Sequence, residues 1–182
     1  MEKVEVIVVG AGLAGLSTAM VLAEAGAEVL VVERGEYPGS KNVTGGRLYL
    51  GPVQAYLPAW WEEAPFERQV TKERLTMVAP ESSLTVELNS KRLKESPHPS
   101  YTILRSTFDR WLADQVAERG GFIIPGYQVE DLVIEEGIVQ GIVSAGDTIH
   151  ADVVVAADGT LSFLAEKAGL REIRDPRSEE RR

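Results

Sequence analysis

Residues 4–20 read VEVIVVGAGLAGLSTAM. The stretch opens on a β-branched run, Val4–Val9, of the kind that forms a central parallel strand covered on both faces. It then turns on GAGLAG, which sets Gly10, Gly12 and Gly15 at the spacing G-x-G-x-x-G. Each position has a reason: Gly10 makes the tight turn, Gly12 lets a pyrophosphate approach the backbone, and Gly15 lets helix pack on strand. The spacing alone is a weak signal, and its surroundings strengthen it. A helical stripe follows, Gly26 ends it, residues 29–32 form a second strand, and Glu33 closes that strand. The helix start offers free N–H groups and a positive dipole end to phosphates. Glu33, 18 residues after Gly15, is placed to accept hydrogen bonds from ribose hydroxyls. A carboxylate there disfavours a 2′-phosphate, so NADP does not suit this site. FAD and NAD both use such a unit, and the glycines do not choose between them.

The uncharged run at 6–23 is long enough to resemble a membrane span. Its glycines fall where a strand hands over to a helix, and MEKVE lacks the positive flank of a signal peptide. It reads as a buried strand–turn–helix, and the expected compartment is cytoplasmic. Bulk properties agree with a globular protein: 182 residues, 44% hydrophobic and 26% charged, enough for one domain or part of a larger one. A net charge of -9 argues against a nucleic-acid surface, which needs clustered Lys and Arg. With no cysteine there is no disulfide, thiolate metal site or cysteine nucleophile. The two histidines, His98 and His150, lie far apart, so no metal site is expected. Tyr37 and Lys41 have the spacing of a short-chain dehydrogenase pair, but Pro38-Gly39 between them forbids the helix that pair requires.

Two later stretches lean toward FAD. LRSTFDRWL, 104–112, puts Arg105 just ahead of a helix with Phe108, Trp111, Leu112 and Val116 on one face. Ser106 and Asp109 have capping-box-like spacing, and Gly120-Gly121 stops that helix. VVVAADGTLS, 153–162, runs an apolar strand into Asp158-Gly159, with a helix start at about 160–162. Asp158 then hangs from the carboxyl end of a parallel strand, the edge where open α/β sheets bind ligands. Phe122–Pro125 reads as a third parallel strand, and residues 127–135, 138–143 and 147–150 read as a β-meander. The fold class is α/β: a Rossmann-like domain whose parallel sheet carries a meander.

In the middle of the chain, residues 75–78 and 84–88 read as two strands joined around 80–83, the start of a second sheet. LPAWWEEAPFE, 57–67, places Trp60, Trp61 and Phe66 among acids and prolines, which suits a small aromatic cluster covering a domain junction better than a quinone or membrane-interface contact. KRLKESPHPS, 91–100, reads as a surface loop. Gly45-Gly46, inside NVTGGRLYL, fits either a tight turn or a very close neighbour.

Taken together, GAGLAG with Glu33, ERGEYPGSKNVTGGRLY, SYTILRSTFDRWL and AADGTLSFLAEKAGL resemble the FixC-type electron-transfer flavoprotein–quinone oxidoreductases, from about residue 4 to residue 170. These belong to the FAD superfamily that also holds geranylgeranyl reductases and aromatic hydroxylases. The resemblance implies that Gly10, Gly12, Gly15, Glu33 and Arg34 bind the ADP half of FAD. It implies that Lys41, Asn42, Thr44, Gly45 and Gly46 lie near the flavin ring, which would be the close neighbour of the glycine pair. Arg105 would contact the middle of the cofactor, Val129 the adenine through its backbone, and Asp158 with Gly159 the ribityl–phosphate region. Residues 1–50 and 101–170 would form the FAD domain, 51–100 the start of a substrate domain, and 171–182 a charged, solvated tail. The partners implied are an electron-transfer flavoprotein heterodimer, a ferredoxin-like subunit and a quinone. The resemblance implies a cytoplasmic protein, peripheral at the inner-membrane face in the full-length family. No catalytic side chain is expected, because the flavin carries the redox chemistry.

Members of that family are roughly twice this length or more. Their second half supplies another flavin contact, a further sheet strand and the quinone surface. The expectation is therefore a truncated reading frame or a shortened chain, with an open sheet edge that invites association, weak or no FAD binding by this chain alone, and no turnover. The alternatives are a sister flavoenzyme that reduces isoprenoid double bonds or hydroxylates aromatics, and a non-catalytic nucleotide-binding remnant or a subunit completed by another chain.

Overall fold

The computed structural model describes residues 3–54, 62–95, 97 and 99–171. Strand β1 (Val4–Val9) leads through the glycine turn into helix α1 (Leu13–Glu24) and strand β2 (Val29–Glu33). Strand β3 (Gly45–Tyr49), the helical turn α2 (Gly51–Gln54) and strands β4 (Arg68–Gln69), β5 (Lys72–Ala79) and β6 (Ser82–Asn89) follow. Then come α3 (Lys91–Lys94), β7 (Ser100–Leu104), α4 (Arg105–Glu118) and β8 (Phe122–Pro125). The meander β9 (Val129–Glu135), β10 (Ile138–Ser144) and β11 (Asp147–Ala156) ends in α5 (Phe163–Lys167). The chain forms two compact units: Asn42–Phe108 is one, and the residues on either side of it form the other.

The first unit is a six-stranded sheet in the order β8-β2-β1-β11-β10-β9. Strands β8, β2, β1 and β11 are parallel, whereas β11, β10 and β9 run antiparallel as the meander. Alternation along β1 and β2 supplies two apolar faces. Ile7, Val9, Leu30 and Val32 cluster with Ile142, Ala151 and Leu164, so α5 is part of that layer. Val6, Val8, Val29 and Val31 are buried on the opposite face, where Gly15 brings α1 against the Val8 side chain. Each such buried aliphatic side chain stabilises the fold by about 1.5–3 kcal/mol. Both long helices end on glycines with positive φ, Gly26 at 84° and Gly120 at 87°, a conformation that favours residues without a Cβ.

The segments 147–150 and 153–156 belong to one strand. The first half of β11 pairs with β10, from Asp147↔Ser144 to His150↔Gly141, and the second half pairs with β1, from Ala151↔Val4 to Ala156↔Val9. Among the described residues the second half has β1 as its only paired neighbour, and Val153 is half exposed. Helix α5 starts after Ser162, whose φ is 43°, slightly later than the expected 160–162. Helix α4 starts at Arg105, so Ser106 lies inside its first turn and is not its cap.

In the second unit β7 pairs antiparallel with both β3 and β4, while β5 and β6 make a separate hairpin in register from Lys72↔Asn89 to Ala79↔Ser82. Gly45 and Gly46 lie inside β3, opposite Leu104 and Ile103, so the tight-turn reading is corrected. Residues 91–94, expected as loop, form one helical turn because the Ser90 hydroxyl caps it, accepting from Arg92 N at 3.2 Å. Phe66 stacks on Tyr101, with ring centroids 4.4 Å apart, and Phe108 lies 6.2 Å from it. Trp60, Trp61, His98 and residues 172–182 of the charged tail lie outside the described residues. Arg171 is anchored, donating from Nη1 to the carbonyls of Thr160 and Leu161 at 2.8 Å each.

Candidate functional site

In the first unit the carboxyl ends of β1, β2 and β11 converge on the glycine turn. Gly10 has φ 103°, and a Cβ there would stand 2.5 Å from the Ala157 carbonyl oxygen. A Cβ on Gly15 would stand 1.9 Å from the Gly10 carbonyl oxygen. Both glycines are therefore required by the packing of the chain itself. Gly12 differs: it is the N-cap of α1 with an ordinary φ of -85°, no side chain caps the helix there, and no acidic residue occupies the first turn. The amides of that first turn have no acceptor within the helix, and the helix dipole favours an anion in front of them.

Glu33 stands at this same mouth. Its Oε2 accepts from Ala11 N, inside the glycine turn, at 2.8 Å, and its Oε1 accepts from Gly35 N at 2.6 Å. Two backbone donors thus fix the carboxylate, whose remaining lone pairs stay able to accept further hydrogen bonds. Gly35 N–H and Ala11 N–H are the donors that sequence reasoning missed. Main-chain partners leave no residue-type signature, although the glycine of ERG was a trace of one. A Cβ on Gly35 would stand 2.4 Å from Ser40 Oγ and 3.0 Å from Glu33 Oε1.

The loop after β8 is tied to the end of β2: Tyr127 N donates to the Glu33 carbonyl at 2.9 Å and Gly126 N to that of Gly35 at 2.8 Å. This brings the Val129 segment to the Glu33 strand end, with the Val129 side chain packed on the core. Asp158 lies close too, since its amide is 3.5 Å from the point where a Gly10 Cβ would be. Its carboxylate accepts from Ser162 Oγ and Leu164 N, both at 3.0 Å, and so holds the start of α5. Gly159 follows in the left-handed region, φ 97°, with open space beside it. Arg34 and Lys41 are exposed. Beside them the turn at 35–40 is held by the Arg110 guanidinium, 4.1 Å from the centre of the Tyr37 ring.

The second unit gathers a separate group. Arg105 N donates to the Thr44 carbonyl at 3.2 Å, next to the Gly45↔Leu104 pair, so Thr44, Gly45, Gly46 and Arg105 are neighbours. Asn42, two residues before Thr44, is half-buried. A Cβ on Gly45 would stand 2.8 Å from the Ile103 carbonyl oxygen, whereas one on Gly46 would meet nothing within 4 Å. The close neighbour of Gly45 is thus a strand of its own chain, and Gly46 is the glycine that leaves open space. Arg47 holds β3 in place. It donates from Nε to Ser100 Oγ at 3.0 Å and from Nη1 to Glu73 Oε1 at 2.5 Å, and lies 4.4 Å over the Tyr49 ring. Nothing in the sequence around Arg47 marks this role, because its partners lie 26 and 53 residues away.

Among the described residues no group of His, Cys, Asp and Glu could hold a metal ion, and no helix is long and apolar enough to cross a membrane. The family model described as FAD binding domain matches residues 3–180. The chain is 42% identical over 175 residues to the probable electron transfer flavoprotein-quinone oxidoreductase YdiS of Escherichia coli K12, covering 96% of this chain and 41% of that one. It is 45% identical over 166 residues to the protein FixC of the same organism, covering 91% of this chain and 39% of that one. Among solved structures, a geranylgeranyl bacteriochlorophyll reductase-like protein from Thermoplasma acidophilum superposes with a TM-score of 0.77 at 25% identity. It covers 97% of this chain and 44% of that one. The chain thus spans about two fifths of the length of the curated relatives it matches.

Proposed function

Because this chain belongs to the FAD binding domain family and is built as a Rossmann-like sheet with a meander, we propose that its glycine turn and Glu33 hold the ADP half of FAD in an oxidoreductase that passes electrons from an electron-transfer flavoprotein to a quinone. One observation carries the cofactor half of this reading: the Glu33 carboxylate is bonded to Ala11 N, so the acidic residue and the glycine turn form a single locus. The residues fit the group. The uncapped amides at the start of α1 would receive a diphosphate, and the fixed, acceptor-only Glu33 carboxylate would accept from ribose hydroxyls.

Arg34 flanks the adenosine end in this reading, and Val129 meets the adenine through its backbone. Asp158 and Gly159 border the ribityl–phosphate stretch, and Arg105 the middle of the cofactor. Lys41, Asn42, Thr44, Gly45 and Gly46 border the flavin, with Gly46 offering the open surface. Residues 1–50 and 101–170 make the cofactor domain, and 51–100 begin a substrate domain. When bound, the flavin supplies the electron chemistry; these residues bind and orient it.

The electron-transfer reading is supported by the names of relatives at 42–45% identity, against 25% for the reductase-like structure. An electron-transfer flavoprotein heterodimer, a ferredoxin-like subunit and a quinone are the partners it brings, with a peripheral place at the inner-membrane face for the whole protein. The test is titration of the purified chain with ADP, FAD and FMN, followed by desalting and an absorbance spectrum. ADP and FAD should compete for one site while FMN does not bind, and the flavin should be lost on desalting. FMN binding without ADP competition sinks the assignment of the nucleotide half. Stoichiometric flavin after desalting rejects weak binding.

A further inference from the structure

Among the described residues, one buried side-chain polar atom has no hydrogen-bond partner: the hydroxyl of Ser40. Buried polar groups are nearly always paired, and an exception in a native fold calls for a reason. Ser40 ends the turn that starts at Glu33. Its N–H is satisfied by the Tyr37 carbonyl at 3.0 Å, and the preceding Gly39 has φ 89°. Its Oγ shares with Glu33 Oε1 the space left vacant by the missing Gly35 side chain, lying 2.4 Å and 3.0 Å respectively from the point a Cβ would occupy. Hydroxyl and carboxylate are thus near neighbours that do not bond to each other.

The carboxylate has its donors elsewhere, Gly35 N at 2.6 Å and Ala11 N at 2.8 Å. Those two anchors are not equivalent. Gly35 N belongs to the same turn as Glu33, whereas Ala11 N belongs to the glycine turn that leads into the uncapped start of α1. A carboxylate that lost Ala11 would keep one backbone donor and be free to swing.

Resting on the reading that this turn takes the ADP half of FAD, we propose that Ser40 is a positioning residue for Glu33. As the diphosphate draws off the Ala11 N–H, the Ser40 hydroxyl donates to the Glu33 carboxylate in its place. The exchange keeps the carboxylate doubly anchored while its outer lone pairs accept from the ribose. It also gives the buried Ser40 hydroxyl a partner when the nucleotide is bound. Ser40 therefore acts through Glu33, and its signature is opposite effects on stability and on affinity.

The experiment uses ADP and 2′-deoxy-ADP as probes on the full chain, with Ser40→Ala and Ser40→Cys. Cysteine keeps a γ atom, larger than the serine oxygen, with only a weak donor, so together with alanine it separates loss of the donor from loss of packing. The ligand-free Ser40→Ala chain should melt at or above the wild-type temperature, since an unpaired buried hydroxyl has been removed. Both variants should bind ADP about tenfold more weakly, the size expected for one hydrogen bond to a charged group. The preference for ADP over 2′-deoxy-ADP should shrink in both, because that preference reads the grip of Glu33 on the ribose. Wild-type affinity in both variants overturns the proposal while leaving the cofactor reading intact. A clear fall in the melting temperature of ligand-free Ser40→Ala overturns it too, by showing that the hydroxyl already has a structural partner. Failure of the wild type to bind ADP overturns the reading of the nucleotide half and Ser40's role together, whereas weak FAD binding alone overturns neither.

Discussion

Gly45 and Gly46 are adjacent, yet the physical reasons for them differ, and that difference can be measured. Alanine at 45 would push its Cβ to 2.8 Å from the Ile103 carbonyl oxygen, and neither strand backbone can give way without loosening the β3–β7 pair. Overpacking of this kind costs about 1–3 kcal/mol, so Gly45→Ala should lower the melting temperature whatever the chain binds. Alanine at 46 meets nothing within 4 Å. Gly46→Ala should leave unfolding unchanged and weaken FAD, but not ADP, if the flavin ring lies over that strand. Equal effects on both nucleotides would remove Gly46 from the flavin site. Glu33→Gln probes the other group of residues. An amide can accept from only one of Ala11 N and Gly35 N, so its NH2 is left facing a backbone donor. One buried donor left unmatched costs about 1–3 kcal/mol. Urea unfolding should show that loss, and isothermal titration should show ADP binding weakened by about tenfold or more.

At the scale of elements, α5 is the one that cannot hold itself: five residues are too few to form a helix unaided. Asp158 supplies its start by accepting from Ser162 Oγ and Leu164 N, and Lys167 ties its end to Asp131 on β9 at 3.0 Å. Asp158→Ala should cost about 1 kcal/mol, concentrated in faster amide exchange at 164–168 and little change in β1 or β2. The Asp131 carboxyl is held below the ordinary carboxylate range, first by the Lys167 ammonium and then by the Leu132 N–H. A carboxyl lowered on folding stabilises the fold above its unfolded value and stops doing so as pH falls through the folded one. Acidification should therefore loosen α5 in the wild type, and Asp131→Asn should flatten that dependence; an unchanged acid limb would show the pair to be inconsequential. These elements also mark what the sequence could disclose. The unit β1–α1–β2 is legible because β-branched runs, helical periodicity and terminal glycines all agree. β11 reads as two strands because its halves serve different neighbours: 147–150 lies beside antiparallel β10, and the apolar run 153–156 lies beside parallel β1. A glycine pair announces a close approach but not its partner, and Ile103 stands far along the chain from Gly45.

For the molecule as a whole, the β5–β6 hairpin presents an exposed apolar stripe. Its register puts Leu75 opposite Val86 and Met77 opposite Leu84, with Leu88 on the same face, and all five side chains are more than half exposed. The other face is polar except for Val78 near the turn: Glu87 pairs with Arg74 at 2.6 Å and Lys72 at 3.1 Å, and Thr76 with Thr85 at 3.0 Å. Alternation of this quality was readable at 75–78 and 84–88, but periodicity shows which side chains share a face and not whether that face is covered. A lone two-stranded sheet is marginal in water, and a contiguous apolar stripe on it favours association. Sedimentation velocity over a range of concentrations should show mass rising above that of the single chain. Replacing Met77 and Leu84 together by Lys puts two ammonium groups directly opposite each other in the stripe and should hold the protein monomeric, with the far-UV spectrum unchanged. The ion pairs of the polar face are exposed and contribute little, so adding salt should not reproduce the effect of the two lysines. If the double variant associates as the wild type does, the stripe is not the contact. The exposed apolar residues of the first unit, Val153, Leu161 and Phe163, would then be the next surface to change.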